Sequence, residues 1–107
     1  MSNKAILISG GAKGIGRCLA RHFLELNHRV FILDIDEDEL TWTCDHHLVA
    51  HAHRLNRAVC DLCDVDAIRD VVKKAADWFG GRIDVLINNG VRSPLCWKYP
   101  LSVQSLS

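Results

Sequence analysis

The feature that most constrains this chain is its opening sixteen residues. Lys4–Ser9 (KAILIS) is a compact apolar run rich in isoleucine, and Gly10-Gly11-Ala12-Lys13-Gly14-Ile15-Gly16 follows it directly. A continuous apolar run bounded by glycines is the pattern of a strand buried on both faces. Apolar residues then recur at Ile15, Leu19, Phe23 and Leu26, the spacing of one helix face, with Asn27 as a stop. A strand that turns through glycines into a helix places uncapped N–H groups beside backbone that a ligand can approach closely. Phosphate binding needs that arrangement. A purely structural glycine turn is the plainer reading of the glycines alone, but the strand before and the helix after are the context the phosphate reading requires.

The pattern repeats in outline. Arg29–Asp34 (RVFILD) predicts a second buried strand closing on an acid, and Asp36–Glu39 sets four acids at a helix start, where they complement the dipole. That helix is expected to run through Leu40, Trp42 and Leu48 toward Ala52 with fading periodicity. A weaker strand is predicted near Arg57–Cys60. Asp64 or Asp66 then caps a helix carrying Ile68, Val71, Val72, Ala75 and Phe79, which Gly80-Gly81 ends. Ile83–Asn88 (IDVLIN) predicts a fourth buried strand. The order β-α-β-α-β-α-β implies an α/β fold with a parallel sheet of about four strands, three helices and right-handed crossovers, half of a Rossmann fold. Val91–Ser107 shows no sustained period. The expected division is a nucleotide-binding half-domain over residues 1–95 and a divergent tail over 96–107.

Composition narrows the class of function. The 107 residues are 49% hydrophobic and 24% charged, which excludes wholesale disorder. Thirteen Lys+Arg balance thirteen Asp+Glu, so no net field attracts nucleic acid or an anionic membrane. Apolar runs of about six residues fall well short of the ~20 that span a bilayer. Met1-Ser2-Asn3-Lys4 leads into the first strand without a signal-peptide core. Five cysteines without a disulfide-framework spacing read as reduced thiols, and the expected compartment is the cytoplasm.

At its motifs the chain resembles the short-chain dehydrogenase/reductase family. Ser9-Gly10-Gly11-Ala12-Lys13-Gly14-Ile15-Gly16 is similar to that family's Thr-Gly-x-x-x-Gly-x-Gly loop, with Ser in place of Thr. Asp61-Leu62 resembles the Asp-(Val/Leu) pair after the third strand, whose carboxylate approaches adenine. Leu86-Ile87-Asn88-Asn89-Gly90 resembles the Asn-Asn-Ala-Gly segment ending the fourth strand. The resemblance covers about residues 4–95 and implies the sheet order 3-2-1-4. It also implies cofactor contacts from Ser9, Gly10, Lys13, Gly14, Ile15, Gly16, Asp61, Leu62 and Asn88. Asp34 joins them independently, because it stands where a carboxylate can accept the adenosine ribose hydroxyls.

The departures bear on catalysis. Gly90-Val91 stands where the family has Ala-Gly, and Cys96–Ser107 does not resemble the family. Proton transfer in the family uses a Tyr-x-x-x-Lys pair, yet the only tyrosine here is Tyr99 and four residues on stands Val103. Lys98 adjoins Tyr99, a spacing that does not converge as a helical i, i+4 pair can. No catalytic residues are therefore assigned. Asp34 favours NAD over NADP, because its charge repels a 2′-phosphate; Lys13 in the loop argues the other way.

Two further clusters have ligand-like spacing. His46, His47, His51 and His53 lie near Cys44 and Asp45, and His47 and His51 would be i, i+4 on a helix. No closed set of four ligands accompanies them and a solvated helix end is the plainer explanation, so no metal is expected. Cys60-x-x-Cys63 matches a redox or zinc half-site only in its spacing, and Asp61, Asp64 and Asp66 oppose a reactive thiolate. Lys73-Lys74, Arg54 and Arg57 read as scattered surface charge.

The expected protein is thus a truncated short-chain dehydrogenase-like chain that binds NAD(P) without ordinary oxidoreductase turnover and serves interaction or regulation. The alternative is an oligomeric enzyme with another chemistry built at a subunit interface. With Ile83–Asn88 left as an apolar edge and one sheet face under-covered, a homo-oligomer is expected, with Trp97, Tyr99 and Leu101 contributing. Cover by the tail in cis is the other solution.

Overall fold

The computed structural model describes residues 3–89 and the backbone of Ser102–Ser105. Strands β1 (Ala5–Ser9), β2 (Arg29–Asp34), β3 (Leu55–Val59), β4 (Val85–Asn88) and β5 (Ser102–Ser105) form one sheet in the order β3-β2-β1-β4-β5. The first four strands are parallel, in the expected order 3-2-1-4, while β5 runs antiparallel to β4. Helices α1 (Gly14–Glu25), α2 (Glu37–Trp42) and α3 (Val65–Phe79) connect them.

Strand alternation builds two cores. Ile6, Ile8, Val30, Ile32 and Ile87 pack with Ala20 and Leu24 of α1, Leu40 of α2 and Leu48. Ala5, Leu7, Phe31 and Leu33 pack with Ala75 and Phe79 of α3. The first two helices therefore cover one face and α3 the other, as right-handed crossovers require. The face of α1 is rotated from the expected one: Leu19 and Phe23 pack against this core while partly buried, but they do not form its centre. Gly16, Ala20 and Leu24 are buried, whereas Ile15 is 69% and Leu26 48% exposed. Small residues at i and i+4 let the helix lie close to the sheet, and that displaces the larger Ile15 outward.

The segment after Asp36 also departs from one continuous helix. Asp36 caps α2 by accepting from the Glu39 N–H at 3.1 Å. The chain then passes through a π-helical turn, Thr43–His47, and a 3-10 segment, Val49–Arg54, that is kinked at His51. The expected i, i+4 relation of His47 and His51 is lost across that change of helix type. Strand β3 begins two residues earlier than predicted. Its pairing with β2 continues past Val59 through the Cys60 N–H, which donates to the Asp34 carbonyl at 3.0 Å. Asp64 caps α3, and Gly80 closes it in the left-handed conformation at φ +89°.

The expected open edge on β4 is occupied. Strand β5 pairs along it from Val85↔Ser105 to Asn88↔Ser102. A four-residue antiparallel strand needs a partner edge but no internal period, so Ser102-Val103-Gln104-Ser105 does not announce it. The backbone groups of β4 on this side are thus paired within one chain. Trp97, Tyr99, Leu101 and the boundary at residue 95 lie outside the described residues. On the α3 side an apolar groove of about 170 Å3 remains between Leu62, Ile68, Val72 and Leu86. Among the described residues no helix is long and apolar enough to cross a membrane.

Two ionisable groups hold the amino end of β1. The Asp84 carboxylate accepts from the Ala5 N–H at 2.8 Å and from Arg82 Nε at 2.9 Å. That backbone bond, aided by the Arg82 charge, holds its carboxyl below the ordinary value of 3.8. His28 Nδ1 accepts from the Lys4 N–H at 3.1 Å, and burial, with Lys4 and Arg54 adding, lowers its pKa below 6.5. In both cases the unfolded group takes up a proton at a higher pH than the folded one, so stability falls on acidification. The denaturation midpoint is expected to drop first below pH 6.5, through His28, and again below about pH 4, through Asp84. Urea titrations from pH 7 to pH 3 check this. His28→Gln should remove the first drop and Asp84→Asn the second; profiles that both variants leave unchanged would contradict the assignment.

Candidate functional site

The carboxyl ends of β1, β2 and β4 meet at one end of the sheet, and the glycine loop crosses above them. Gly10 at φ +68° and Gly14 at φ +59° occupy the left-handed region, which turns the chain sharply out of β1 and into α1. The Gly10 and Gly11 N–H groups both donate to the Leu33 carbonyl, at 2.7 and 3.2 Å. The Ala12 N–H donates to Asp34 Oδ2 at 3.3 Å, and the Ala12 carbonyl accepts from the Thr43 hydroxyl. Gly16 lies directly under the loop, where a Cβ would fall 1.9 Å from the Gly10 carbonyl oxygen.

A groove of about 400 Å3 opens beside this loop, lined by Gly10, Lys13, Gly14, Ile15, Asp34, Ile35, Asp36 and Asn89. The candidate residues Gly10, Lys13, Gly14, Ile15 and Asp34 are thus brought together. Asp34 Oδ1 also accepts from the Asp36 N–H at 3.1 Å, so its carboxylate is oriented by two backbone donors and keeps lone pairs for a further one. Lys13 Nζ lies 3.6 Å from Asp36 Oδ2, with both side chains partly exposed. Two carboxylates and one paired ammonium leave the Asp34 end of the groove electronegative. Ile15 and Ile35, at 69% and 60% exposure, give it apolar walls.

Ser9 and Asn88 form a clasp behind the loop. The Ser9 hydroxyl lies 3.1 Å from Asn88 Oδ1 and 3.4 Å from the Ile87 carbonyl, and it accepts from the Asn89 N–H at 3.0 Å. Asn89 Nδ2 reaches the Gly10 carbonyl at 3.4 Å, tying the end of β4 to the loop. Asp61 is not among the groove's lining residues. It turns its carboxylate onto the Cys63 N–H at 2.9 Å, and Leu62 faces the α3-side groove. Asn89, Ile35 and Asp36 line the groove without having been candidates. Asn89 was legible as the second Asn of its pair, and Ile35 as an apolar residue just past the strand.

The other clusters resolve differently. His47 Nε2 accepts from Trp42 Nε1 at 3.0 Å, His53 Nε2 accepts from Arg54 Nε at 3.1 Å, and the His46 ring stacks on Trp42 at 4.0 Å. Those ring nitrogens serve N–H donors instead of converging. Burial pushes the Cys60 thiol up, with Asp61 and Asp64 adding. Cys18, Cys44 and Cys60 are free, but Cys63 is disulfide-bonded, which corrects the expectation of five reduced thiols. Sequence spacing does not display which segments a fold brings within bonding distance.

A parallel β3-β2-β1-β4 order with a glycine turn from β1 into a helix, and a carboxylate ending β2, defines the first half of a doubly wound dinucleotide-type fold. The family model described as short chain dehydrogenase matches residues 4–98, and the chain belongs to that family. It is 39% identical over 89 residues to a hydroxy(phenyl)methyl-succinyl-CoA dehydrogenase subunit of Thauera aromatica, covering 83% of this chain and 35% of the relative. It is 28% identical to 15-hydroxyprostaglandin dehydrogenase (NAD(+)) of Homo sapiens, covering 100% of this chain and 41% of the relative. An actinorhodin polyketide ketoreductase solved with NADPH superposes at a TM-score of 0.75 and 28% identity, over 83% of this chain and 34% of that one. A short chain dehydrogenase from Mycobacterium smegmatis superposes at 0.74 and 31% identity, over 82% and 36%. The chain spans about a third of the length of the curated relatives first matched, 35% and 32%.

Proposed function

We propose that this chain binds a nicotinamide dinucleotide through its adenosine and diphosphate portion and takes NAD in preference to NADP. The observation that carries the reading is Asp34, held by two backbone donors and facing the same groove as the glycine loop. The residues fit such a group. Gly14 leaves open space where a Cβ would stand. Asp36 and Asp64 cap α2 and α3 with their side chains, whereas Lys13 offers α1 no side-chain cap. The first-turn donors of α1 suit an anionic diphosphate. Asp34 accepts ribose hydroxyls, and an adenine ring fits between Ile15 and Ile35.

Preference for NAD follows from charge. A 2′-phosphate would enter beside Asp34 and Asp36, and Lys13, the one cation among the described lining residues, is already paired with Asp36. A bound dinucleotide supplies hydride acceptance or donation; the proton relay that accompanies it in the family needs a Tyr-x-x-x-Lys pair, which these 107 residues lack. Interaction or regulation through nucleotide occupancy is the role we assign.

Isothermal titration with NAD, NADH, NADP and NADPH tests this. NAD should bind about tenfold tighter than NADP, and ADP-ribose nearly as well as NAD, because the grip lies at the adenosine end. Asp34→Ala should weaken NAD about tenfold and erase the discrimination. Absence of heat with all four nucleotides would overturn the proposal.

A further inference from the structure

We infer that Thr43 is a positioning residue for the diphosphate-binding loop, acting through Ala12; the inference rests on the nucleotide-binding reading above. Thr43 opens the π-helical turn, is fully buried, and donates its hydroxyl to the Ala12 carbonyl across 31 residues of sequence. The Leu48 N–H closes on the Thr43 carbonyl at 2.8 Å, a five-residue span, so the widened turn itself seats this residue.

The loop is held unevenly. The Gly10, Gly11 and Ala12 N–H groups are each bonded to residues ending β2, and the Ala12 carbonyl is bonded to Thr43. Beyond Ala12 the loop is held less closely: Lys13 has no side-chain cap bond, its carbonyl accepts from the Arg17 N–H at 3.4 Å, its ammonium lies 3.6 Å from Asp36, and nothing lies within 4 Å of a Cβ built on Gly14. Ala12 is therefore the last loop residue bonded through its backbone to the β2 side before the donors that would meet a diphosphate. Its carbonyl and the Lys13 N–H belong to one planar trans peptide, in which the two point in opposite directions. Fixing the carbonyl on Thr43 sets the direction of the Lys13 N–H and, through it, the entry into α1. An apolar residue of the same size would leave the buried Ala12 oxygen without its donor and free this peptide to rotate.

Thr43→Val keeps the volume and removes the donor, and Thr43→Ser restores it. Titration with NAD, ADP and adenosine should show NAD and ADP weakened about fivefold to tenfold in Thr43→Val, with adenosine unchanged and Thr43→Ser close to wild type. A merely structural role would weaken all three equally, and that result overturns the inference. Amide hydrogen exchange is read on the same proteins. Exchange at Lys13 and Gly14 should accelerate in Thr43→Val while Phe31 in the core keeps its rate. If the wild-type chain binds none of the three probes, the nucleotide reading fails and exchange alone decides. Acceleration confined to the loop then supports the positioning role, and unchanged rates overturn it. Should Thr43→Val not fold, Thr43→Ser and Thr43→Cys, donors of decreasing strength, are compared by the same exchange measurement. Graded loop exchange supports the role, and equal rates overturn it.

Discussion

Gly16→Ala is expected to cost at least about 3 kcal/mol of stability and to abolish nucleotide binding. The added methyl would stand 1.9 Å from the Gly10 carbonyl oxygen, 2.7 Å from its carbon and 2.8 Å from Asn89 Nδ2. Backbone atoms cannot step aside as a flexible side chain can. Gly10 is also fixed by its own N–H on the Leu33 carbonyl at 2.7 Å. Relief would require lifting α1 off the sheet and opening the core around Ala20 and Leu24. Gly14→Ala is the internal comparison: it meets nothing within 4 Å and carries only the strain of φ +59°, about 1–2 kcal/mol. Urea unfolding of the two variants should separate them clearly. Equal midpoints would mean that the approach of α1 to the loop is looser than described.

The second large effect is expected at Phe31→Ala, a loss of about 3–5 kcal/mol. Phe31 has no exposed surface and meets Trp78 and Phe79 edge to face, with ring centroids 6.0 and 6.4 Å apart. It is the central aromatic contact between β2 and α3 on the face that α3 alone covers among the described residues, so little else there can close the cavity. Chains of this size hold about 5–15 kcal/mol in total, and such a loss should leave a substantial unfolded fraction at 37 °C. Thermal unfolding checks this against Trp42→Ala. Trp42 is 52% exposed, and its removal should change stability by no more than about 1 kcal/mol. Similar melting temperatures for the two variants would contradict the assignment of the core.

Particular residues show what could be read ahead of the structure. Arg29–Asp34 was legible to its last residue, because a strand buried on both faces is apolar without interruption and Asp34 ends it sharply. Leu55-Asn56-Arg57-Ala58-Val59 is an edge strand, half polar, and its start was misplaced by two residues for that reason. The glycine loop and Asp34 were legible because their spacing is itself the chemistry. Thr43 was not: a threonine inside a helical stretch carries no mark of the carbonyl it will meet, and that partner is chosen by the widened turn. Ile15 misled, since periodicity placed it in the core while the small residues of α1 turned it toward the groove.

Strand β5 changes what a neighbouring molecule meets. A row of apolar parallel backbone, Val85–Asn88, would template the growth of cross-strand aggregates if left bare. Ser102–Ser105 consumes that row in the opposite direction and offers in its place four residues that are mostly polar in sequence. A parallel strand arriving at this side must first displace β5 before it can reach β4, so entry becomes a competition with an intramolecular partner already tethered at high effective concentration. The outermost strand on this side is thus a short antiparallel one, and the apolar parallel strand lies one position further in.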